Sequence, residues 1–356
     1  MDVLIIGGTR FLGKYLTEAL LKGNQKVTLL NRGTRRNTFP FYEDVEWLIC
    51  DRQDESKFRS LLAKRQFDVV IDTCAYFPSD VELAVDVFRD KIAKYIFTST
   101  MAVALTKEFQ ERQLLPIPNR RLFDTDPGNN YAYNKTLIEE YLTEQFDKNG
   151  FPFVSLRSPE IMGPGEIREW YYIDRLKNGR EKILIPGLGE NLFQPIYIDD
   201  LLQAFLLAIV KENCVGECYN LAGAEAVSLN QYIRLIAEEM DGRVKIVNIP
   251  QDIFRELVSI KYYFPYAYKY SFVIDIEKAK QELGYQPEVG IRQAIRKILS
   301  SWREGYTPKM SPYNPQGEFD IMSYDLEDIF ISAWESETSE LKERLHQKLS
   351  DKGLLI

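Results

Sequence analysis

Val3-Leu4-Ile5-Ile6-Gly7-Gly8-Thr9-Arg10-Phe11-Leu12-Gly13 is the stretch on which the reading of the chain turns. Four aliphatic residues predict a buried strand, a glycine pair predicts a tight turn, and Leu12, Leu16, Ala19 and Leu20 recur at helical spacing with Gly23 as the C-cap. A strand, turn and helix in this order is the setting a phosphate-binding turn requires. Glycines permit the turn and its close packing, while the helix N-terminus offers unpaired N–H groups and partial positive charge to a pyrophosphate. An ordinary tight turn is the plainer alternative, and the strand and helix on either side weigh against it.

Outward from this turn, short β-branched runs alternate with helical patterns. Val27 to Leu30, Val45 to Ile49, Val69 to Ile71, Tyr95 to Thr98 and Val154 to Leu156 are the further strand candidates, so βαβ units and a parallel sheet follow. The fold class is α/β: a Rossmann-type doubly wound sheet with a smaller C-terminal α/β substrate domain. The expected division is 1–162 for the dinucleotide-binding domain, completed by part of 190–225, then 163–310 for the smaller domain and 311–356 for a partly helical extension. Leu201 to Lys211 and Leu229 to Met240 are helix candidates, and the aromatic run Lys261 to Phe272 reads as core of the smaller domain. Thr307 to Gly317 leads into a tail whose Leu341, Leu345 and Leu349 predict an amphipathic helix packed on the body or on a second subunit, which leaves a homodimer open.

With 356 residues, 45% hydrophobic and 28% charged, the chain can bury two cores and is far from a disordered composition. A net charge of −8 argues against a nucleic-acid partner. The longest apolar run, Leu201 to Val210, is well short of the ~20 residues that span a bilayer, so no membrane partner is expected. Met1-Asp2 runs directly into the first strand, which predicts no signal peptide and a cytoplasmic protein. Cys50, Cys74, Cys214 and Cys218 are too scattered for a disulfide framework and lack the spacing of a zinc site. The single histidine, His346, excludes histidine-based acid/base chemistry and a multi-histidine metal site, so proton transfer falls to Tyr, Lys, Ser/Thr or carboxylates.

Gly7, Thr9, Arg10, Phe11, Leu12 and Gly13 are accordingly the expected cradle of a dinucleotide. At the end of the second strand, where an acid often holds the adenosine ribose, Asn31-Arg32-Gly33 stands instead, with Arg35 and Arg36 following. Guanidinium groups match a 2′-phosphate, so NADP is favoured over NAD. Asp51 after the third strand is expected to accept a hydrogen bond from the adenine amino group, its neighbour Arg52 to bind the cofactor as well, and Ala75 after the fourth gives a small residue where the chain passes the cofactor.

Asn130-Tyr131-Ala132-Tyr133-Asn134-Lys135 opens a further helical run, which puts Tyr131 and Lys135 one turn apart on one face. Phe97-Thr98-Ser99-Thr100 ends a strand upstream. The spacing Tyr-x-x-x-Lys alone is weak in a chain with 21 tyrosines; its order after a glycine turn and a hydroxyl-ended strand is much stronger. Together with Leu156-Arg157-Ser158-Pro159, Gly163-Pro164-Gly165, Ile196-Tyr197-Ile198-Asp199-Asp200, Tyr219-Asn220-Leu221 and Leu283-Gly284-Tyr285-Gln286-Pro287, these motifs make residues 1–305 resemble the extended short-chain dehydrogenases/reductases, the NAD-dependent epimerase/dehydratase family. Arg10 in place of the middle glycine of the family's Gly-x-x-Gly-x-x-Gly turn resembles the branch related to chloroplast stem-loop RNA-binding proteins. The resemblance implies that Thr100 orients a substrate hydroxyl, Tyr131 is the acid/base, Lys135 holds the nicotinamide ribose and lowers the tyrosine pKa, and Pro159 abuts the nicotinamide.

Physics supports the tyrosine role. A phenol of pKa ~10 must fall by about 3 units, or ~4 kcal/mol, to be half ionised at neutral pH. One charge at ~5 Å and an effective dielectric of ~20 supplies roughly 3 kcal/mol, so Lys135 needs the help of the oxidised nicotinamide. Several departures limit the inheritance. Glu160 replaces a common substrate-binding Asn, Phe193 falls near a usual diphosphate-binding Arg, and Met101-Ala102-Val103-Ala104 follow Thr100 where dehydratases carry acids. The expected activity is hence that of an epimerase or reductase on a sugar, nucleotide-sugar or related polyol derivative. The alternative is a catalytically silent dinucleotide-binding protein with a binding role, such as RNA.

Overall fold

The computed structural model describes residues 1–104, 106, 116–119, 130–166, 168–257, 264–303 and 322–351. The run Lys261 to Phe272 falls partly, and Thr307 to Gly317 wholly, outside them. Seven strands form one sheet: β1 Asp2–Ile6, β2 Lys26–Asn31, β3 Glu46–Ile49, β4 Val69–Asp72, β5 Lys94–Thr100, β6 Phe153–Ser158 and β7 Glu217–Asn220. All six neighbouring pairs are parallel. Their order is β7-β6-β5-β4-β1-β2-β3, which reverses between β1 and β4, the point at which such folds bind ligands beyond the strands' carboxyl ends. Every strand candidate is present; β7 is the addition. It carries Tyr219 and Asn220, and a four-residue strand at a sheet edge gives little periodicity to read.

The chain divides into two compact units. The first comprises Met1–Pro164, Gln194–Ala226 and Phe272–Ala294, and the second Gly165–Phe193, Val227–Ser271 and Ile295–Ile356. In the first, the sheet carries helices α1 Phe11–Lys22, α2 Glu55–Leu62, α3 Pro78–Phe88, α4 Asn130–Asn149 and α5 Ile198–Val210. Its strands are buried along nearly their whole length, as parallel strands covered on both faces must be. Lys94, 6% exposed, donates to the carbonyls of Ala208, Ile209 and Lys211 and so caps the end of α5, which satisfies acceptors the helix leaves over.

In the second unit, Lys182–Pro186 and Lys245–Ile249 pair in parallel beside the helices Arg168–Lys177 and Leu229–Glu239. The long helix Tyr324–Ser350 begins here: Glu327 is fully buried and Ile331 nearly so. Its far end is different. Leu341, Leu345 and Leu349 are 49%, 49% and 39% exposed, so within this chain the predicted stripe is not covered by the body.

Candidate functional site

Residues between β1 and α1 adopt the strained geometry that their glycines permit. Gly7 has φ +106°, and a Cβ there would lie 2.4 Å from Thr73 Oγ1; a Cβ on Gly13 would lie 2.7 Å from the Gly8 backbone. The turn is thus folded against the first turn of α1, and Thr17 Oγ1 locks it by donating to Gly13 O at 2.9 Å and Gly8 O at 3.2 Å. The close packing of the turn that the missing side chains allow brings the N–H groups of the first helical turn to its mouth, an arrangement that suits a pyrophosphate. Arg10 sits at φ −120°, ψ 147°, a conformation open to any residue, which is why the middle glycine of the pattern can be lost. Phe11 takes a positive φ of +28° instead.

Asn31 ends β2 with both halves of its amide occupied. Nδ2 donates to Gly7 O at 2.7 Å, and Oδ1 accepts from Gly33 N at 2.9 Å, so the side chain ties the second strand's loop to the glycine turn. Arg32 and Arg35 are exposed, and among the described residues neither forms an ion pair; Arg36 lies 5.9 Å from the Trp47 ring centre. Asp51 is exposed and turns the chain into α2, accepting from Gln53 N. Ala75 is fully buried in the core beneath the sheet, while Pro159 is half-buried after β6.

Arg52 lies in a buried charge cluster. Its guanidinium forks onto Asp72 at 2.9 and 3.0 Å, pairs with Asp80 at 3.1 Å and donates to Asp80 O. The Asp72 carboxylate also accepts from Tyr95 Oη at 2.7 Å and Cys74 N at 3.0 Å. Burial alone would raise the Asp72 carboxyl, but the guanidinium beside it outweighs that and holds it below the ordinary value. Burial, with Asp72 adding to it, lifts the Cys74 thiol to about 11, so this sulfur is not a nucleophile at neutral pH. Arg52 therefore orients the loop Thr73 to Phe77 from below. Sequence reading counted Arg52 among the cofactor-binding residues and did not single out Asp72, Tyr95 or Asp80. An aspartate closing a hydrophobic strand was the available signal.

Of the proton-transfer candidates, Lys135 and Tyr131 come together beside β5. Lys135 is 3% exposed and its Nζ donates to Thr98 O at 2.8 Å. Nζ lies 4.6 Å from the Phe97 ring centre, 5.2 Å from that of Tyr76 and 5.8 Å from that of Tyr131. Burial lowers its pKa to about 8, with Asp72 and Cys74 pulling the other way. Thr100, at the last position of β5, accepts from Ala102 N at 3.1 Å and so starts the turn Met101–Ala104. Met101, Val103 and Ala104 are buried, which leaves no acid in that turn. Tyr131, in the first turn of α4, is 45% exposed.

The lowered lysine value has a consequence for stability. Unfolded, the ammonium keeps its ordinary pKa of 10.5; folded, it loses its proton near 8. The burial penalty is thus present below pH 8 and is relieved as pH rises from 8 to 10.5, by up to about 3 kcal/mol. Comparing the melting of the dinucleotide-free protein with that of Lys135→Met, we expect the difference to move in favour of the parent between pH 7 and pH 10. A difference independent of pH would show that Lys135 titrates normally.

Elsewhere the four cysteines are free, and among the described residues no group of three or more His, Cys, Asp or Glu side chains could hold a metal and no helix is long and apolar enough to cross a membrane. Phe193, standing near the usual position of a diphosphate-binding arginine, is fully buried and stacks on Tyr266 at 4.6 Å in the second unit.

The sequence profile of the NAD-dependent epimerase/dehydratase family matches residues 3–222. The chloroplast stem-loop binding protein of 41 kDa b of Arabidopsis thaliana is 27% identical over 310 residues, covering 82% of this chain and 77% of its own. A putative UDP-glucose 4-epimerase of Methanocaldococcus jannaschii is 22% identical over 84% of this chain and 97% of its own. Among solved structures, the UDP-glucose 4-epimerase of Thermotoga maritima with UDP-glucose superposes with a TM-score of 0.69 at 19% identity, over 85% of this chain and 99% of its own. The UDP-glucuronic acid 4-epimerase of Bacillus cereus, in complex with UDP-glucuronic acid and NAD, gives 0.66 at 20% identity, over 86% and 100%.

Proposed function

The chain belongs to the NAD-dependent epimerase/dehydratase family, and from that premise we propose that it is an NAD(P)-dependent epimerase or reductase acting on a nucleotide-sugar or related polyol. The observation that carries this reading is Lys135: a buried ammonium, fixed on Thr98 O of β5, with the Tyr131 ring centre 5.8 Å away. Desolvating a cation beside a phenol has a chemical purpose where a tyrosinate must form.

A dinucleotide held by the turn Gly7 to Gly13 would supply reversible hydride exchange with a carbinol carbon. Tyr131, as the phenolate that Lys135 stabilises, takes the proton of the carbinol hydroxyl and becomes the neutral phenol, while Thr100 hydrogen-bonds the same hydroxyl. Gly7, Gly8 and Gly13 let the turn pack tightly against Thr73, Leu29 and the start of α1, and Arg10, Thr9, Phe11 and Leu12 would present their backbone to the pyrophosphate. Dehydration is disfavoured, since eliminating water needs an acid where Met101 to Ala104 supply none. Interconversion of UDP-glucose and UDP-galactose by the purified protein, with mass spectrometry for a retained dinucleotide, tests the reading. A kept dinucleotide with interconversion supports the epimerase; neither turnover nor dinucleotide would overturn it.

Arg32 and Arg35 support NADP over NAD, because two exposed guanidinium groups, without ion pairs among the described residues, stand where the adenosine ribose is expected. Arg32→Ala should weaken NADP binding by about tenfold or more, the worth of a charge-assisted hydrogen bond, and change NAD binding little. Equal losses in parallel titrations would remove the assignment. The similarity to a stem-loop binding protein favours a second reading, a binding protein for RNA that does not turn over. Retained RNA affinity together with no hydride exchange would select it.

A further inference from the structure

Two large aromatic side chains just before α3 face solvent although the apolar face of that helix is core. Val81, Ala84, Val85 and Phe88 are buried to 2% exposure or less, whereas Tyr76 and Phe77 are 50% and 54% exposed. Tyr76 is moreover held firmly. The Asp80 carboxylate accepts from the N–H groups of both Tyr76 and Phe77, at 2.9 and 3.0 Å, and is itself held by Gln53 Nε2 at 2.8 Å and by Arg52 at 3.1 Å. The ring so presented lies 6.3 Å from the Tyr131 ring, tilted by 45°, with Lys135 Nζ 5.2 Å from its centre. A surface aromatic on a rigid backbone is a preformed platform, since little side-chain or loop entropy remains to be lost on binding.

Resting on the nucleotide-sugar reading above, we propose that Tyr76 is a substrate-binding residue whose ring stacks on the apolar C–H face of the substrate's pyranose and holds the carbinol carbon against Tyr131. A pyranose presents axial C–H groups that carry partial positive charge, and an aromatic face carries partial negative charge. The stack needs no directional donor from Tyr76, which leaves the sugar hydroxyls for Thr100 and Tyr131. A cationic nicotinamide is the poorer occupant of this ring, because the Lys135 ammonium already lies against it and would repel a second positive charge. Arg52 and Asp80 are then positioning residues, acting through the loop that carries the platform.

Calorimetric titration of the dinucleotide-loaded full chain with UDP-glucose and with UDP alone tests the assignment, using the parent, Tyr76→Ala and Tyr76→Phe. Tyr76→Ala should bind UDP-glucose about tenfold more weakly, with UDP and dinucleotide affinities unchanged, and Tyr76→Phe should match the parent. Saturation transfer from aromatic protons to the pyranose C–H groups should be strong in the parent and lost in Tyr76→Ala. Since the ring stands half in solvent, Tyr76→Ala should still melt cooperatively within a few degrees of the parent. Equal losses for UDP and UDP-glucose, or a loss of dinucleotide affinity, would overturn the proposal by putting the ring on another group. Unchanged UDP-glucose binding in Tyr76→Ala would overturn it while leaving the nucleotide-sugar reading in place. A parent that binds neither UDP nor UDP-glucose would overturn both.

Discussion

Tyr131→Phe is expected to lower turnover by about 100- to 10,000-fold, the usual worth of a positioned acid/base, and to leave dinucleotide affinity nearly unchanged. In the proposed mechanism the hydroxyl removed is the one that transfers the proton, and it has no part in the turn Gly7 to Gly13. Tyr133→Phe should do neither, because two residues along a helix of ~3.6 residues per turn is a rotation of about 200°. The Tyr131 ring lies 5.8 Å from Lys135 Nζ, so this phenol feels the ammonium that a tyrosinate requires. Below pH 8 that ammonium is charged; above it, the charge that lowers the tyrosine pKa fades. Turnover supported by the tyrosinate should consequently plateau and then decline as pH passes 8. Cofactor affinity and turnover measured for both variants decide the matter, and full activity in Tyr131→Phe would promote the binding-protein reading.

Glu327→Ala should destabilise the second unit by about 3–5 kcal/mol, the penalty for leaving a buried charge without its partner. Arg175 and Glu327 are 1% and 0% exposed and meet at 3.0 Å between Nε and Oε2. Arg175 also donates to Met322 O and Tyr171 O, and Glu327 Oε1 accepts from Leu184 N at 2.9 Å, so the pair joins the start of the long helix to the strand Lys182–Pro186. Removing the carboxylate orphans a guanidinium and an N–H together. Denaturant unfolding should show an earlier transition for Glu327→Ala, and Arg175→Met with Glu327→Leu should recover much of the loss, since an apolar pair carries no desolvation penalty. An unchanged midpoint would mean that water reaches the site. Every cofactor motif precedes Met310, so dinucleotide binding by the first unit is expected to survive in Glu327→Ala.

Much of this was legible beforehand, for reasons of scale. The glycine turn, the strand alternation and the i, i+4 placement of Tyr131 and Lys135 are patterns a few residues long, written by backbone geometry with period 2 or 3.6. The resemblance to a known family extended them to Thr100 and Pro159. The burial of Lys135 was not legible, since a lysine in a mixed helical run carries no mark of desolvation. Nor was the use of Arg52, whose partners Asp72 and Asp80 lie 20 residues and more away along the chain.

The sequence by itself determined the architecture of the first unit, the position of its glycine turn and the placement of Tyr131 and Lys135 one helical turn apart. Only the tertiary structure decided that Arg52 turns inward to Asp72, that Asn31 braces the glycine turn, that Tyr76 stands exposed beside Tyr131, and that the tail's Glu327 lies 152 residues from the arginine it neutralises. The physical reason is that local sequence fixes dihedral preference and apolar period, whereas the partner of a charge is fixed by which elements the fold brings together. Desolvation then makes that partner obligatory, and no spacing along the chain records it.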